Sequence, residues 1–316
     1  MTKPKRVNSV PLEAVGIDLG GTKIEASLFG RNWEPLETRR ISTPQSYNGM
    51  LQALSDLVSW ADALADKALP VGIGAAGMVQ PKTGSFTAAN HAAAGRPFKA
   101  DFEGIVERHV SLINDGDALA LSEAVLGSGY GHSRVAALVV GTGIGGGFVV
   151  DGRVAAGAFG VSGEIGHIAL PASIAMAFKL PVLRCGCGRD GCYETLISGP
   201  GLARLAAHMT GRNVDAFEIV QEREGEFRDV WNVWCALVGE LLRTVGLTFD
   251  PNVVVLGGGL SRVSGVATDL QTAAAKAQFD GFDCPEVVVA QGGDASGARG
   301  AAYAAWQESS GSRSSR

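Results

Sequence analysis

The sequence predicts an α/β protein of two similar domains, and three observations support this prediction. At 316 residues the chain is longer than one hydrophobic core usually serves, which favours two domains of about 150 residues each. Buried strands alternate with amphipathic helices along the chain. A strand, a glycine-rich bend and a second strand occur in 13–29 and again in 134–154, so the second half repeats the first. We therefore expect two α/β domains with a cleft between them, where closure can exclude water.

The elements of the first half follow from hydrophobic periodicity. The segment DLGGTK (18–23) separates two apolar strands, and the apolar spacing of Tyr47–Ala65 predicts an amphipathic helix. Short apolar runs indicate the other strands. The predicted elements are strands at 13–18, 24–29, 70–75 and 110–114, and helices at 47–65 and 118–126.

The second half opens with a buried strand, followed by GTGIGGG (141–147) and an alternating segment that turns at an Asp-Gly pair. The predicted elements are strands at 134–140, 148–154, 252–256 and 286–290, and helices at 226–247 and 297–307. We expect the polar residues from 307 onward to be disordered. The N-terminal domain is expected to comprise 1–115 with 298–316, and the C-terminal domain 116–297.

Composition and charge argue against several classes of partner. The net charge of −5 and the pI near 5.6 show no basic footprint, so we expect no nucleic acid and no anionic membrane surface as a partner. The apolar stretch at 14–17 is too short for a signal peptide or a membrane span, which favours the cytoplasm. Five cysteines do not suit a disulfide framework, and three of them lie within eight residues.

The two glycine-rich bends suggest phosphate binding. GTGIGGG matches the dinucleotide pattern GxGxxG, but that pattern must open a helix, whereas this segment leads into a β-hairpin; no GxxxxGK[ST] loop occurs. The remaining interpretation is that two β-turns, at 20–23 and 141–145, point backbone N–H groups at phosphate oxygens, with Thr22 and Thr142 each adding a hydroxyl. The alternative for each bend is a tight turn without a ligand.

A third glycine-rich segment, GGGL at 257–260, follows a buried strand and precedes a helix. It would let an adenosine pack against bare backbone, and an ordinary strand-to-helix turn is the alternative.

Carboxylates follow two of the predicted strands. Asp115 comes where the strand at 110–114 ends, in the crevice where α/β proteins bind ligands, and is a candidate base for a hydroxyl that accepts a phosphoryl group. The alternative is that Asp115 or Asp117 caps the following helix, a role that suits Asp117 better. Asp18 ends the first strand beside the first bend, where it could orient Mg²⁺ through water; a turn-forming side chain is the alternative.

A cluster of possible metal ligands lies in the second half. RCGCGRDGC contains Cys185, Cys187 and Cys192, and His167 stands eighteen residues before the first of them in GEIGH. Three thiolates and one imidazole make a closed tetrahedral set, which is typical of structural zinc. The spacing is not a common zinc-finger pattern, so unligated thiols remain the alternative.

Together these residues resemble the ROK family of bacterial sugar kinases. The resemblance rests on DLGGTK, GTGIGGG, GEIGH, CGCGRDGC and GGGL and extends from about Val15 to Tyr303. It implies the two-domain actin-like ATPase (ribonuclease H-like) fold, ATP as phosphoryl donor with Mg²⁺, structural Zn²⁺, a hexose substrate and a homodimer. Some family members are transcriptional repressors with an N-terminal DNA-binding domain, but here the first strand begins near residue 13 and leaves no room for one.

The resemblance also implies site residues. Asp115 would be the catalytic base, and the zinc ligands would be His167, Cys185, Cys187 and Cys192. The sugar would be bound by Gly77, Asn90, Asn114, Asp115, Glu164, His167 and Glu194. The nucleotide would be bound by Asp18, Gly20, Gly21, Thr22, Lys23, Gly141, Thr142, Gly143, Gly257 and Gly258.

Within the family, the segments at 88–102, 180–188 and 292–302 are most similar to the branch that acts on N-acetylglucosamine. The resemblance therefore implies phosphorylation of N-acetyl-D-glucosamine to its 6-phosphate, and small residues at 92–95 would leave space for an acetamido group. Fructokinase or glucokinase activity is the alternative, since DLGGTKIEA and ETLISG are at least as similar to fructokinases. A non-catalytic sugar sensor is a more remote one.

Overall fold

The computed structural model describes residues 11–88 and 91–311. The strands are β1 (Leu12–Leu19), β2 (Lys23–Gly30), β3 (Pro35–Ser42), β4 (Val71–Ala75), β5 (Met78–Val79), β6 (Phe86–Thr87), β7 (Val110–Asn114), β8 (Arg134–Val140), β9 (Ile144–Val150), β10 (Arg153–Val154), β11 (Val253–Gly257) and β12 (Glu286–Val289). The helices are α1 (Tyr47–Ala65), α2 (Phe98–Val106), α3 (Asp115–Leu126), α4 (Ala172–Ala177), α5 (Glu194–Ile197), α6 (Gly199–Thr210), α7 (Ala216–Gln221), α8 (Arg228–Phe249), α9 (Val266–Ala277) and α10 (Ser296–Gly311). No helix in these ranges is both long and apolar enough to cross a bilayer.

The chain divides into two compact units. Unit 1 consists of the first segment up to Tyr130, Gly152–Val161 and the segment from Gly292 onward, and unit 2 consists of Gly131–Asp151 and Ser162–Gln291. The boundary differs from the expected one between 115 and 116, because α3 packs closely against α10. A Cβ atom on Gly300 would lie 1.8 Å from the carbonyl oxygen of Ala118, so only a glycine permits this approach.

The sheet of unit 1 has the strand order β3-β2-β1-β4-β7. Strand β2 is antiparallel to β1 and β3, whereas β1, β4 and β7 run parallel. Their carboxyl ends therefore share one edge, which places Leu19, Ala75 and Asn114 in line. This edge is where parallel sheets present ligand-binding side chains.

Helix α10 lies directly on this sheet. A Cβ atom on Gly16 or on Gly72 would come within 1.8 Å of the carbonyl oxygens of Ala298 and Ala301, respectively. The main apolar core of the unit joins the sheet to α1 and α2, and Leu54 and Phe102 are fully buried in it. The C-terminal helix is therefore an integral part of unit 1.

Unit 2 repeats this topology. Strands β9, β8, β11 and β12 lie side by side in that order, with β9 antiparallel to β8 and the last three parallel. The order corresponds to β2, β1, β4 and β7 of unit 1. Helix α8 packs its apolar face into the core, where Trp234 is fully buried. The internal repeat predicted from the sequence is therefore confirmed.

Several elements differ from the sequence prediction. Strand β3 was not predicted, because it has no buried residue and therefore no apolar alternation. Helix α3 begins at Asp115 rather than at residue 118, and α10 continues to Gly311, so the disorder expected from residue 307 is wrong for 307–311. Strand β9 begins at Ile144, which confines the second glycine bend to 141–143.

Candidate functional site

Asp115 is the first residue of α3, at the carboxyl edge of the unit 1 sheet. The cap of this helix is Asn114, whose side-chain oxygen accepts a hydrogen bond from the Gly116 N–H at 2.8 Å. The expectation that Asp117 caps the helix is therefore wrong, because the helix begins three residues earlier than predicted. With the cap supplied by Asn114, the carboxylate of Asp115 is not needed for that role.

The environment of Asp115 suits a proton acceptor. The carboxyl is half-buried, and burial raises its pKa above the ordinary value; a hydrogen bond of 3.0 Å from the Gly116 N–H offsets part of this effect. A carboxylate with a raised pKa is a better base near neutral pH, because proton transfer to it is more favourable.

Gly77 lies beside Asn114 in unit 1. Its carbonyl oxygen accepts a hydrogen bond from Asn114 Nδ2 at 3.2 Å. A Cβ atom at this position would lie 2.5 Å from the ring of Phe86, so the site requires glycine. Asn90, which the resemblance assigns to the sugar, lies outside the described residues.

The first glycine loop joins β1 to β2 as a tight turn closed by a hydrogen bond of 3.0 Å from the Gly20 N–H to the Lys23 carbonyl. Gly21 and Thr22 are exposed within it. A buried residue, Thr43, holds the loop: its hydroxyl donates to the Gly20 carbonyl at 2.7 Å and its N–H to the Thr22 carbonyl at 3.0 Å. Sequence reasoning missed Thr43, which follows the unpredicted strand β3.

Asp18 lies at the end of β1, next to this loop. It faces the first turn of α10, where a Cβ atom on Gly297 would come within 3.1 Å of its carboxyl carbon. Because β1, β4 and β7 are parallel neighbours, Asp18 shares the carboxyl edge of the sheet with Asn114 and Asp115. As predicted, Asp18 lies at the end of β1 and Asp115 directly after β7. The roles of the two acids remain predictions.

The second glycine loop, 141–143, joins β8 to β9 in unit 2. It is closed by a hydrogen bond of 3.0 Å from the Gly141 N–H to the Gly143 carbonyl, and Thr142 and Gly143 are exposed. The strands on either side pair as a hairpin, with Val140 opposite Ile144. The loop therefore does not open a helix, which confirms that GxGxxG is not a dinucleotide fingerprint here.

A cavity of about 650 Å³ adjoins the second loop. Its lining is mostly apolar and comes from the loop, from α6 and α7, and from the turn after β11. The lining residues are Gly141, Thr142, Gly199, Pro200, Ala203, Asp215, Ala216, Phe217, Val220, Gly259, Leu260 and Val263. Its size and its aromatic and aliphatic lining suit a purine nucleoside.

Two glycines predicted to bind the nucleotide, Gly257 and Gly258, directly precede residues that line this cavity. Gly257 is the last residue of β11, and Gly258 has φ of +83° and packs against β8, where a Cβ atom would lie 2.5 Å from the Val140 carbonyl. The next two residues, Gly259 and Leu260, line the cavity, and nucleotide binding by Gly257 and Gly258 stays a prediction. The contributions of α6 and α7 were not foreseen, because they depend on contacts between distant segments.

The four predicted metal ligands come together in unit 2. The donor atoms of His167, Cys185, Cys187 and Cys192 all lie within 4.8 Å of one another. Cys185 Sγ lies 3.6 Å from His167 Nδ1, and Cys187 Sγ lies 3.7 Å from Cys192 Sγ. The segment that carries the cysteines is a short hairpin, with Gly188 and Gly191 in the left-handed region at φ of +91° and +74°.

This donor set fits zinc. Sulfur ligands at about 2.3 Å from a tetrahedral zinc lie about 3.8 Å apart, close to the spacing of Cys187 and Cys192. Burial and hydrogen bonds with the neighbouring thiols raise the pKa of Cys192 to about 12, so this thiol keeps its proton unless a cation displaces it. Three thiols and an imidazole leave no open position, which is typical of a structural site.

His167 presents its second ring nitrogen to Glu164. Nδ1 faces the cysteines, while Nε2 lies 3.7 Å from Glu164 Oε2. Both side chains are half-buried, at the short helical turn that follows β9 and β10 in the chain. A ligand hydroxyl placed between them could form a hydrogen bond with the imidazole nitrogen of His167 and donate another to the carboxylate of Glu164.

Glu194 lies between the cysteine cluster and the second glycine loop. Its Oε2 accepts a hydrogen bond of 2.9 Å from the Ile144 N–H, and its Oε1 lies 3.7 Å from Cys185 Sγ. Of the residues predicted to contact the sugar, Glu164, His167 and Glu194 therefore belong to unit 2, and Gly77, Asn114 and Asp115 to unit 1.

Comparison with known proteins identifies the family of this chain. The ROK family pattern matches residues 14–308, and the chain belongs to the ROK family. It is 37% identical over 292 residues to the N-acetylgalactosamine kinase AgaK of Shewanella sp. (strain ANA-3), covering 91% of this chain and 94% of that relative. It is 38% identical over 295 residues to the N-acetyl-D-glucosamine kinase of Photobacterium profundum, covering 91% and 97%.

A solved structure shows the same fold. The ROK hexokinase from Thermus thermophilus superposes with a TM-score of 0.84 at 32% identity, covering 94% of this chain and 99% of that one. The two-domain actin-like ATPase fold implied by the sequence resemblance is therefore confirmed.

Proposed function

We propose that this protein is an ATP-dependent sugar kinase that transfers the γ-phosphoryl group to the 6-hydroxyl of N-acetyl-D-glucosamine. The position of Asp115 carries the proposal: a half-buried carboxylate with a raised pKa, at the carboxyl edge of a parallel sheet, whose neighbour Asn114 supplies the helix cap. Membership of the ROK family and similarity to two amino-sugar kinases support it.

In the proposed reaction, Asp115 accepts the proton of the sugar hydroxyl as its oxygen attacks the γ-phosphorus. The new bond joins that oxygen to phosphorus, the bond from phosphorus to the bridging oxygen of ADP breaks, and ADP leaves. Backbone N–H groups of the loops at 20–23 and 141–143 would bind phosphate oxygens. The cavity beside the second loop would hold the adenosine.

Two metal ions are part of the proposal. Asp18 would hold Mg²⁺ through water, and the ion would neutralise charge on the phosphates. His167, Cys185, Cys187 and Cys192 would hold Zn²⁺, which would fix the positions of Glu164 and Glu194 without taking part in the chemistry. The homodimer implied by the resemblance stays a prediction.

Steady-state kinetics with a panel of sugars tests the substrate. N-acetylglucosamine, N-acetylgalactosamine, N-acetylmannosamine, glucose and fructose would be compared by kcat/KM at fixed MgATP. We expect the highest value for N-acetylglucosamine, with differences of about 10- to 200-fold where a single apolar group decides. A higher kcat/KM for fructose or glucose would refute the assignment.

N-acetylgalactosamine is a second candidate. The Shewanella relative is named for that activity. It is 37% identical to this chain, whereas the N-acetyl-D-glucosamine kinase of Photobacterium profundum is 38% identical. Both sugars carry the acetamido group and differ in the orientation of one hydroxyl. The same panel separates the two sugars. A higher kcat/KM for N-acetylgalactosamine would change the assigned substrate, while the assignment as a sugar kinase would stand.

A further inference from the structure

The second glycine loop is held from outside by the segment that follows the cysteine cluster. The Gly199 N–H, at the start of α6, donates to the Gly141 carbonyl at 2.8 Å. Glu194 Oε2 accepts from the Ile144 N–H at 2.9 Å, and a Cβ atom on Gly143 would lie only 2.8 Å from the same oxygen. The carboxylate therefore contacts the loop at its exit and occupies the space beside Gly143.

The backbone segment that carries Glu194 is joined to the metal-ligand cluster. Glu194 stands two residues after Cys192, whose carbonyl oxygen accepts hydrogen bonds from the Thr195 hydroxyl at 2.7 Å and the Thr195 N–H at 3.1 Å. The intervening Tyr193 is fully buried, and its N–H donates to the Ile168 carbonyl at 3.0 Å. The backbone that carries Glu194 is therefore fixed on both sides by the cluster and its surroundings.

We infer that Glu194 is a positioning residue through which the His167/Cys cluster sets the conformation of the second glycine loop, so that nucleotide affinity depends on the cluster. The inference rests on the proposed function, because it takes the loop as the phosphate-binding element. It differs from the role that the family resemblance gives Glu194, which concerns the sugar alone. The two roles lead to different predictions for nucleotide binding measured without sugar. Glu194 variants should bind the nucleotide more weakly if Glu194 positions the loop, and as the wild type does if it contacts only the sugar.

The first experiment measures MgADP binding by calorimetry in the absence of sugar, with far-UV circular dichroism as a check on folding. Glu194→Ala removes the acceptor of the Ile144 N–H, and we expect the Kd for MgADP to rise about tenfold. Glu194→Gln retains an acceptor oxygen, and we expect a rise within about threefold. Asp190→Ala, an exposed acid in the same hairpin, is the matched control and should bind as the wild type does.

The second experiment breaks the same contact from the other side. In Gly143→Ala the new methyl displaces Glu194 Oε2, so MgADP binding should weaken. In the Gly143→Ala/Glu194→Ala double variant no oxygen is left to displace, and the two effects should be much less than additive. Equal effects of Gly143→Ala in both backgrounds would mean that the methyl meets the phosphates directly, and would overturn the inference.

Metal removal tests the link to the cluster on the intact chain, and remains available if Glu194→Ala does not fold. After treatment with a chelator, the wild type should bind MgADP more weakly, whereas Gly143→Ala, whose contact is already broken, should lose less. Unchanged MgADP affinity in Glu194→Ala and in the metal-free wild type, with sugar affinity reduced, would confine Glu194 to the sugar and refute the inference. If the wild type binds no MgADP and phosphorylates no sugar, the proposed function itself fails.

Discussion

Asn114 connects the start of α3 to the glycine at residue 77: its Nδ2 donates to the Gly77 carbonyl at 3.2 Å while its Oδ1 caps the helix through Gly116. One side chain thus fixes two segments that flank the carboxyl edge of the sheet. Asp115, the next residue in the chain, takes its position from this pair of bonds.

Two substitutions of Asn114 should distinguish the contributions of its two hydrogen bonds. Asn114→Ala loses both, and we expect the free energy of unfolding to fall by about 1–2 kcal/mol. Asn114→Ser keeps the helix cap but cannot reach Gly77, so it should lose less stability while kcat still falls. Urea denaturation and steady-state kinetics on the same preparations check this. Equal destabilisation of both variants would show that the cap contributes little.

Asp115→Asn should abolish most of the proposed base catalysis. We expect kcat to fall by about 10²- to 10⁴-fold, because the amide cannot accept the hydroxyl proton. The side-chain oxygen can still accept from the Gly116 N–H, so folding and N-acetylglucosamine binding by calorimetry should be retained. Asp56→Asn, an exposed change on α1, is the control. Turnover within a few-fold of the wild type in Asp115→Asn would refute the assignment.

The raised pKa of Asp115 also predicts how stability changes with pH. The folded state holds this proton more tightly than the unfolded state, whose pKa stays near 3.8, so folding takes up a proton between the two values. The contribution of Asp115 to the free energy of unfolding should therefore fall as pH rises from 3.8 through the raised pKa. Measuring the free energy of unfolding of the wild type and of Asp115→Asn at several pH values isolates this contribution. As pH rises over this window, the wild type should lose stability relative to the variant. A constant difference would contradict burial as the cause.

The cluster of His167, Cys185, Cys187 and Cys192 predicts one bound zinc ion per chain. Elemental analysis of protein purified without added metal should find about one zinc per chain, since a complete tetrahedral donor set binds it tightly. Cys187→Ser should reduce the zinc content to less than a tenth of an equivalent. Cys284→Ser is the matched control, because this cysteine lies outside the cluster and should leave the zinc content unchanged. Zinc retained in Cys187→Ser would exclude that residue as a ligand.

The close contact between α10 and the sheet predicts that Gly72 cannot be replaced without loss of stability. In Gly72→Ala the methyl would lie 1.8 Å from the Ala301 carbonyl oxygen, so the helix must shift. We expect the free energy of unfolding to fall by about 1–3 kcal/mol or more. Gly104→Ala, on the exposed side of α2 with nothing within 4 Å, should instead stabilise by about 0.5–1 kcal/mol. Thermal unfolding of both variants checks the difference, and a Gly72→Ala protein as stable as the wild type would contradict the packing.

Much of the site could be predicted because its signals are local. The glycine bends, the cysteine spacing and the acids at strand ends occupy a few consecutive residues, and turn chemistry and apolar periodicity identify them directly. The buried strands and the long helix were predicted for the same reason. Strand β3 was not, because a strand without a buried face leaves no alternation to detect.

The amino-acid sequence by itself determined the repeated α/β pattern, the two glycine loops, the four cluster ligands and the candidate base. Only the tertiary structure showed that Thr43 holds the first loop, that α6 and α7 line the cavity, and that Glu194 reaches the Ile144 N–H across 50 residues of chain. Such contacts join segments distant in sequence, and whether they form depends on how whole elements pack. Periodicity and spacing describe one element at a time and carry no information about which partner an element will meet.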